Sequence, residues 1–327
     1  MQAIVIKQYG SPDVLCIEER PMPQAKDGQV LIQVKAFGVN HAEIYFREGA
    51  WGDVAEISGI ECVGLVEADA SGRFEPGQKV LAIVGGMGRN LSGSYAEYVV
   101  VPSSNVAAIS TDLAWEDLAA IPESYATAWT AQVGILAVAA QQTVLVRGAT
   151  SALGQAAVNI AAQMGAHVMA TTRNAERVGG LVALGAKEVL IEGPALQALV
   201  RERRPDGIDA VLDLVGNTTV LDSLAMLRRD GHVCLAGFLG GGGPLQQLEP
   251  VFQIPSGRHL SVFASALVTG GKEFPLSEIP FQTIVERVER GIYKAKPARV
   301  FRFDQIRQAH HLVQSGLANG KVVVLIS

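Results

Sequence analysis

Apolar positions first come in short runs, at 3–6, 30–36, 62–68, 79–84 and 96–101, rich in Val and Ile and broken by Gly, Pro and Asp. Branched side chains suit a pleated, half-buried surface, and the breakers end each run, so the pattern predicts strands. The first 110 residues are therefore expected to form a β-rich, barrel-like section with a short helix at 41–46. Near residue 113 the pattern changes. Helices are expected at 115–121 and 124–133, with Pro122 marking the break between them. From Thr143 onward, strand-length apolar runs alternate with helix-period segments. Strands are predicted at 144–147, 167–171, 188–191, 210–214, 232–236 and 260–265. Helices are predicted at 152–164, up to 184, at 195–203 and at 218–227. Alternation with apolar strands implies a parallel sheet covered on both faces. Beyond residue 270 come a helix (281–290), a strand (300–303), a helix (305–315) and a strand (322–326). These last strands stand outside the alternating series and are expected to rejoin the first section.

Composition narrows the class. The 327 residues are 49% hydrophobic and 18% charged, which suits large buried cores and excludes a disordered chain. A net charge of -5 argues against a general nucleic-acid or membrane-surface binder. The three cysteines, Cys16, Cys62 and Cys234, lie far apart among apolar neighbours, so neither a disulfide framework nor a cysteine-rich zinc lobe is expected. The strand-like N-terminus lacks a signal-peptide layout. The apolar helix near 156–164 contains Asn159 and Gln163 and is too short to span a bilayer. The chain reads as soluble and cytoplasmic.

Candidate chemistry enters after the strand at 144–147. Gly148, Ala149, Thr150, Ser151, Ala152, Leu153 and Gly154 form a small-residue turn that opens a helix. Small residues let backbone N–H groups approach a pyrophosphate, and the helix N-terminus adds oriented amides and partial positive charge. Gly154 would permit close helix–strand packing, and the Ser151 hydroxyl would lie near the phosphates. The spacing is not G-x-G-x-x-G, and an ordinary strand–turn–helix junction is the competing reading. The next strand ends in Thr172-Arg173, with Arg177 four residues on, where an NAD site carries an acid. A hydroxyl and a guanidinium fork suit a 2′-phosphate, hence NADP(H); solvated arginines are the alternative. Val215 and Gly216 follow one later strand, and Gly237 and Phe238 another. Ligands bind at the carboxyl ends of parallel strands, so these residues are cofactor-side candidates. Asp213 reads equally well as a buried hydrogen-bond anchor.

Five stretches carry a resemblance across nearly the whole chain: Gly38-Val-Asn40-His41-Ala-Glu-Ile-Tyr45, Gly59-Ile60-Glu61-Cys-Val-Gly64, Ser94-Tyr95-Ala-Glu97-Tyr98, Asp213-Leu-Val-Gly216 and Gly320-Lys321-Val-Val. In these the chain resembles the zinc-free medium-chain dehydrogenase/reductases of the quinone oxidoreductase (zeta-crystallin-like) branch. The resemblance implies an α/β protein. A GroES-like β-rich catalytic domain (1–118 and 271–327) would flank a Rossmann doubly wound parallel-sheet domain (119–270), with the active site in the cleft. It also implies a homodimer through the Rossmann edge strand that contains Leu260 and ends near Ser265. Zinc-dependent relatives use cysteine where this chain has Asn40 and histidine where it has Ile60, and the stretch 84–93 replaces a structural-zinc lobe, so no metal is expected. Glu61 is expected to be a buried structural carboxylate bonded to backbone or to Arg47.

Without a Lewis acid, the acceptor must take hydride readily: a quinone, or an alkene conjugated to a carbonyl. The resemblance points to Asn40 and Tyr45 as donors to developing oxyanion charge and to Trp51 as a flat apolar wall. Ordinary aromatic packing is the other reading of Tyr45 and Trp51. Thr127 falls where relatives contact the nicotinamide. Lys321 is a cofactor-side candidate or a surface charge. Two other functions stay open. One is an enone or enoyl-thioester double-bond reductase, although no basic entrance cluster is evident for a thioester carrier. The other is an NADPH-binding protein with a structural, sensing or RNA-binding role.

Overall fold

The computed structural model describes residues 1–326. In chain order the elements are β1 (Gln2–Ile6), β2 (Leu15–Glu19), β3 (Gln29–Val39), α1 (His41–Glu48), β4 (Glu61–Asp69), β5 (Lys79–Ile83), β6 (Tyr98–Pro102) and β7 (Val106–Ala108). Two helices follow, α2 (Trp115–Leu118) and α3 (Pro122–Trp129), the latter running into a π-helical turn at Thr130–Ile135. Then come β8 (Thr143–Arg147), α4 (Ala152–Gln163), β9 (His167–Thr172), α5 (Val178–Leu184), β10 (Glu188–Ile191), α6 (Leu196–Arg203), β11 (Ile208–Asp213), α7 (Val220–Met226), β12 (Leu227–Leu235), α8 (Pro250–Gln253) and β13 (His259–Val262). The chain closes with α9 (Ser265–Val268), α10 (Phe281–Glu289), β14 (Arg299–Arg302), α11 (Ile306–Gln314) and β15 (Val322–Leu325).

The chain divides into two compact units, residues 1–126 with 265–327, and residues 127–264. In the first, β3 is the spine of a sheet ordered β14-β15-β3-β4-β5-β7, with β6 also paired to β3. β15 runs antiparallel to β3, so the chain's last strand does return to the first section. Its core gathers Ile4, Ile32, Val34, Phe37, Tyr95, Val99, Val101 and Val324. Helix α11 adds Ile306, Ala309 and Val313, spaced to share one face.

The second unit is a six-stranded parallel sheet in the order β10-β9-β8-β11-β12-β13. The order reverses between β8 and β11, and such a switch point opens a crevice at the strands' carboxyl ends. Its strands are apolar on both faces, as expected for a sheet covered on both sides: Val144, Leu145, Val146, Val168, Met169 and Val211 are fully buried.

Several expected boundaries move. Pro122 heads α3 instead of separating two helices. At a first helical position proline forfeits no intrahelical bond, so it starts a helix as readily as it ends one. The unit boundaries fall at 126/127 and 264/265, where the sequence places 118/119 and 270/271. Residues 119–126 stay with the first unit because α2 packs on β3, β4 and β15 and the Glu123 amide bonds Glu61. β12 begins five residues before its expected start at 232, because a bulge opposite β11 carries it through the polar stretch Arg228-Arg229-Asp230. The edge strand β13 ends at Val262, and Ser265 opens a short helix.

Candidate active site

In the second unit, β8 delivers Arg147 and then Gly148, whose φ of +81° is a left-handed conformation that glycine alone adopts without strain. Ser151 caps α4: its Oγ accepts from the Gly154 amide at 3.0 Å and donates to the Gly148 carbonyl at 3.0 Å. The hydroxyl expected near the phosphates is thus engaged within the turn. The first-turn amides of Ala152 and Leu153 have no intrahelical acceptor by position. A Cβ on Gly154 would stand 2.5 Å from the Gly148 carbonyl oxygen, so only glycine allows this approach. The carbonyl of Thr150 accepts from Gln155.

At the end of β9, Thr172 is buried and its hydroxyl exchanges hydrogen bonds with the backbone of Asn174, so it shapes the turn that presents Arg173. Arg173 is exposed and Arg177 half-buried. At the end of β11, Asp213 is the anchor: its carboxylate accepts from the amides of Val215 and Gly216 and from the hydroxyls of Thr219 and Ser223. Gly216 and Gly237 lie backbone against backbone, a Cβ on Gly216 falling 2.8 Å from the Gly237 carbonyl oxygen. The strand ends thus bring together Gly148–Gly154, Thr172 and Arg173, Val215 and Gly216, and Gly237 and Phe238. Thr127 is buried on α3.

Sequence reasoning passed over Arg147. Its guanidinium, 3% exposed, donates to Glu192 at 2.6 Å, to Asp222 at 2.8 Å, to Ser223 and to the Thr219 carbonyl. Burial works against its charge, but the hydrogen bond and charge of Glu192 outweigh that, and its pKa is raised. The Glu192 amide bonds the Thr172 carbonyl at 2.9 Å, so this acid lies beside the end of β9 with its charge compensated. The signal was available: a charged residue closing an otherwise apolar strand.

The first unit holds a second polar cluster, and strand register builds it. Val39 at the end of β3 pairs with Val322, so Asn40 and Lys321 are neighbours. Ala36 pairs with Val63, which brings Glu61 at the start of β4 alongside Gly38. A Cβ at Gly38 would collide with Glu61 and with Lys321, so glycine makes their meeting possible. The Lys321 ammonium donates to Glu61 Oε1, to Asn40 Oδ1 at 2.6 Å and to Ser124 Oγ at 3.5 Å. Asn40 Nδ2 donates to Glu61 Oε1 at 2.8 Å, and the Glu123 amide to Glu61 Oε2 at 2.8 Å. Glu61 is fully buried and Lys321 4% exposed. Glu43 accepts from the amides of Asn40 and Ile60. Burial foremost, with the neighbouring Glu61 charge, pushes its carboxyl up to about 7 against the pull of those amides and of Lys321.

These contacts bear on three expectations. Lys321 is not a surface charge; it is buried in an ion pair with Glu61. Glu61 pairs with Lys321 and backbone, while Arg47, buried elsewhere, donates to the Gly10 carbonyl and to Gln314. Asn40 has its carboxamide held at both ends, Oδ1 by Lys321 and Nδ2 by Glu61 and, at 3.4 Å, by Glu43. Tyr45 and Trp51 do come together, stacked at 5.3 Å with planes 21° apart, and Trp51 meets Phe46 edge-on. Burial foremost, with Glu48 adding to it, raises the Tyr45 pKa and keeps its hydroxyl protonated.

Two family models match the two regions: the alcohol dehydrogenase GroES-like domain over residues 26–111 and the zinc-binding dehydrogenase over residues 152–281. Quinone oxidoreductases are similar along the full length, the pig protein at 28% identity and the human at 26%, each alignment covering 100% of this chain and 98% of the relative. The chain belongs to the medium-chain dehydrogenase/reductase family. Solved structures agree. Mycobacterial Rv1454c complexed with NADPH matches this dehydrogenase/reductase at 26% identity with a TM-score of 0.86, covering 99% of both chains. An NAD-dependent alcohol dehydrogenase matches at 27% identity with a TM-score of 0.84 over 100% of both. This medium-chain dehydrogenase/reductase is therefore an oxidoreductase of the two-domain α/β kind. Its residues do not fit the zinc that one family description names. Asn40 and Ile60 stand at the expected ligand positions, and the oxygens of Asn40 and Glu61 already hold an ammonium. Among the described residues no group of three or more His, Cys, Asp or Glu side chains is arranged to hold a metal. No helix among them is long and apolar enough to cross a membrane.

Proposed function

We propose that this protein is an NADPH-dependent reductase of quinones or other α,β-unsaturated carbonyl compounds and that it works without zinc. The observation that carries the cofactor choice is the end of β9. Arg173 is exposed there with no acid at the strand end itself, and Glu192, whose amide bonds the Thr172 carbonyl, is neutralised by Arg147. A 2′-phosphate would meet the Arg173 guanidinium, and Glu192 would not oppose it with a free charge. The second unit is the dinucleotide domain, in which the amides of Ala152 and Leu153 would receive the pyrophosphate and Val215, Gly216, Gly237 and Phe238 would flank the ribose and nicotinamide. NADPH, when bound, supplies the hydride. The first unit is the catalytic domain. The stacked Tyr45 and Trp51 offer a flat wall for a planar acceptor, and the protonated Tyr45 hydroxyl would donate to the oxygen that gains charge. Asn40 serves by position, held by Lys321 and Glu61. The quinone oxidoreductase relatives support the acceptor class.

We also propose a homodimer through β13, an edge strand whose Leu260 and Val262 are 39% and 61% exposed. The functional reading is tested by screening chelator-treated protein for NADPH oxidation with quinones, enones and simple aldehydes, with NADH in parallel. Turnover of a quinone or enone with NADPH preferred supports it. Tight NADPH binding with every acceptor inert would instead indicate a binding or sensing protein.

A further inference from the structure

The Lys321 cluster has the composition of a cation site whose cation is part of the chain. Three oxygens converge on one nitrogen: Glu61 Oε1, Asn40 Oδ1 at 2.6 Å and Ser124 Oγ at 3.5 Å. The Asn40 carboxamide is fixed with its oxygen toward the ammonium, because its nitrogen is held by Glu61. Glu61 is held in turn by the Glu123 amide. A second carboxylate, Glu43, reaches the same asparagine through its backbone amide. The surroundings are buried, and an ionised carboxylate without a compensating charge is unfavourable there.

We propose that the Lys321 ammonium is a resident cation. It fills an oxygen-lined site in the first unit, keeps Asn40 in one orientation, and makes the site refractory to metal ions. Lysine reaches this position because Gly38 leaves room for its terminal carbon, which a Cβ would meet at 2.3 Å. Removing the ammonium vacates a site of carboxylate, amide and hydroxyl oxygens. Hard donors of this kind select Mg²⁺ or Mn²⁺ over the softer-ligand preference of zinc. The inference concerns metal occupancy and stands whether the acceptor is a quinone, an enone or neither.

The test titrates Mn²⁺, followed by electron paramagnetic resonance, into wild-type protein, Lys321→Ala and Lys321→Ala/Glu61→Gln at neutral pH. Circular dichroism checks the fold, and NADPH binding checks the second unit. The expected result is one bound Mn²⁺ per chain in Lys321→Ala, none at this site in the wild type, and at least tenfold weaker binding once Glu61 is neutral, with Zn²⁺ showing no advantage. A folded Lys321→Ala that ignores Mn²⁺ and Mg²⁺, or a wild type that binds Mn²⁺ equally in a Glu61-dependent way, overturns the proposal. Should Lys321→Ala not fold in chelator, recovery on refolding with Mn²⁺ or Mg²⁺ supports it. Failure both with and without these ions overturns it.

Discussion

Replacing Lys321 by methionine keeps most of the side chain's length and removes its charge. Glu61 is fully buried, and its remaining partners are the Asn40 amide nitrogen and the Glu123 amide. Breaking a buried pair from one side leaves an uncompensated charge, at a cost of about 3–5 kcal/mol. For a unit of this size each kcal/mol moves the melting temperature by about 2–4 °C, so Lys321→Met should melt about 6–20 °C below the wild type at pH 8. The variant's carboxylate can escape the penalty by taking a proton. Its folded pKa is then raised above the unfolded value, so the deficit is full at high pH and shrinks as pH falls toward the ordinary carboxylate range. Adding Glu61→Gln, which removes the charge altogether, should recover at least half of the loss. Thermal melts of the wild type, both single variants and the double variant at pH 5, 6.5 and 8 measure this. A Lys321→Met midpoint within 2 °C of wild type at pH 8, or a deficit independent of pH with no coupling to Glu61, would refute the electrostatic reading of the cluster.

Other outcomes follow from the same contacts. Glu43 sits near 7 in the fold against an ordinary carboxylate value in the unfolded chain, so its contribution is fully present at low pH and is lost as pH rises through 7. Glu43→Gln should remove that part of the slope, at most about 1.4 kcal/mol per pH unit, which pH-dependent urea denaturation of the two proteins would reveal as diverging curves. Arg173→Ala should raise the Kd for NADPH tenfold or more while leaving NADH within about twofold, since a charge-assisted fork to a 2′-phosphate is absent from NADH; equal losses for both in fluorescence titrations would remove the 2′-phosphate assignment. Val262→Asp places a charge on the exposed edge strand and should yield monomers in sedimentation velocity if β13 is the dimer contact.

Periodicity made most of the second unit legible. β10 spans the residues expected from its apolar run, and β8, β9 and α4 differ by a single residue at one end, because buried parallel strands leave nearly continuous apolar stretches. The misplacements have local causes. Pro122 carries the same signal at a helix start as at a helix break, and the β12 bulge puts two arginines and an aspartate inside a strand. The site was legible only as a list of residue types. Gly148 and Gly154 declared their roles because their lack of a side chain is the function. Lys321, Asn40 and Glu61 could not, being 281 and 260 residues from the lysine along the chain and joined only through the registers of β3, β4 and β15. Arg147 carried a signal as the charge closing an apolar strand, but its partners, Glu192 just past β10 and Asp222 on α7, lie on other elements of the second unit.

Hydride transfer from NADPH without zinc is the central proposal. The direct measurement is the isotope effect on turnover with NADPH deuterated at the nicotinamide C4 position, using a quinone or enone acceptor and protein whose metal content has been determined by mass spectrometry. The account predicts a primary isotope effect on kcat/KM with one face of the nicotinamide, at unchanged rate in zinc-depleted protein. Turnover that rises and falls with bound zinc, or acceptor reduction with no isotope effect from either face, would contradict it.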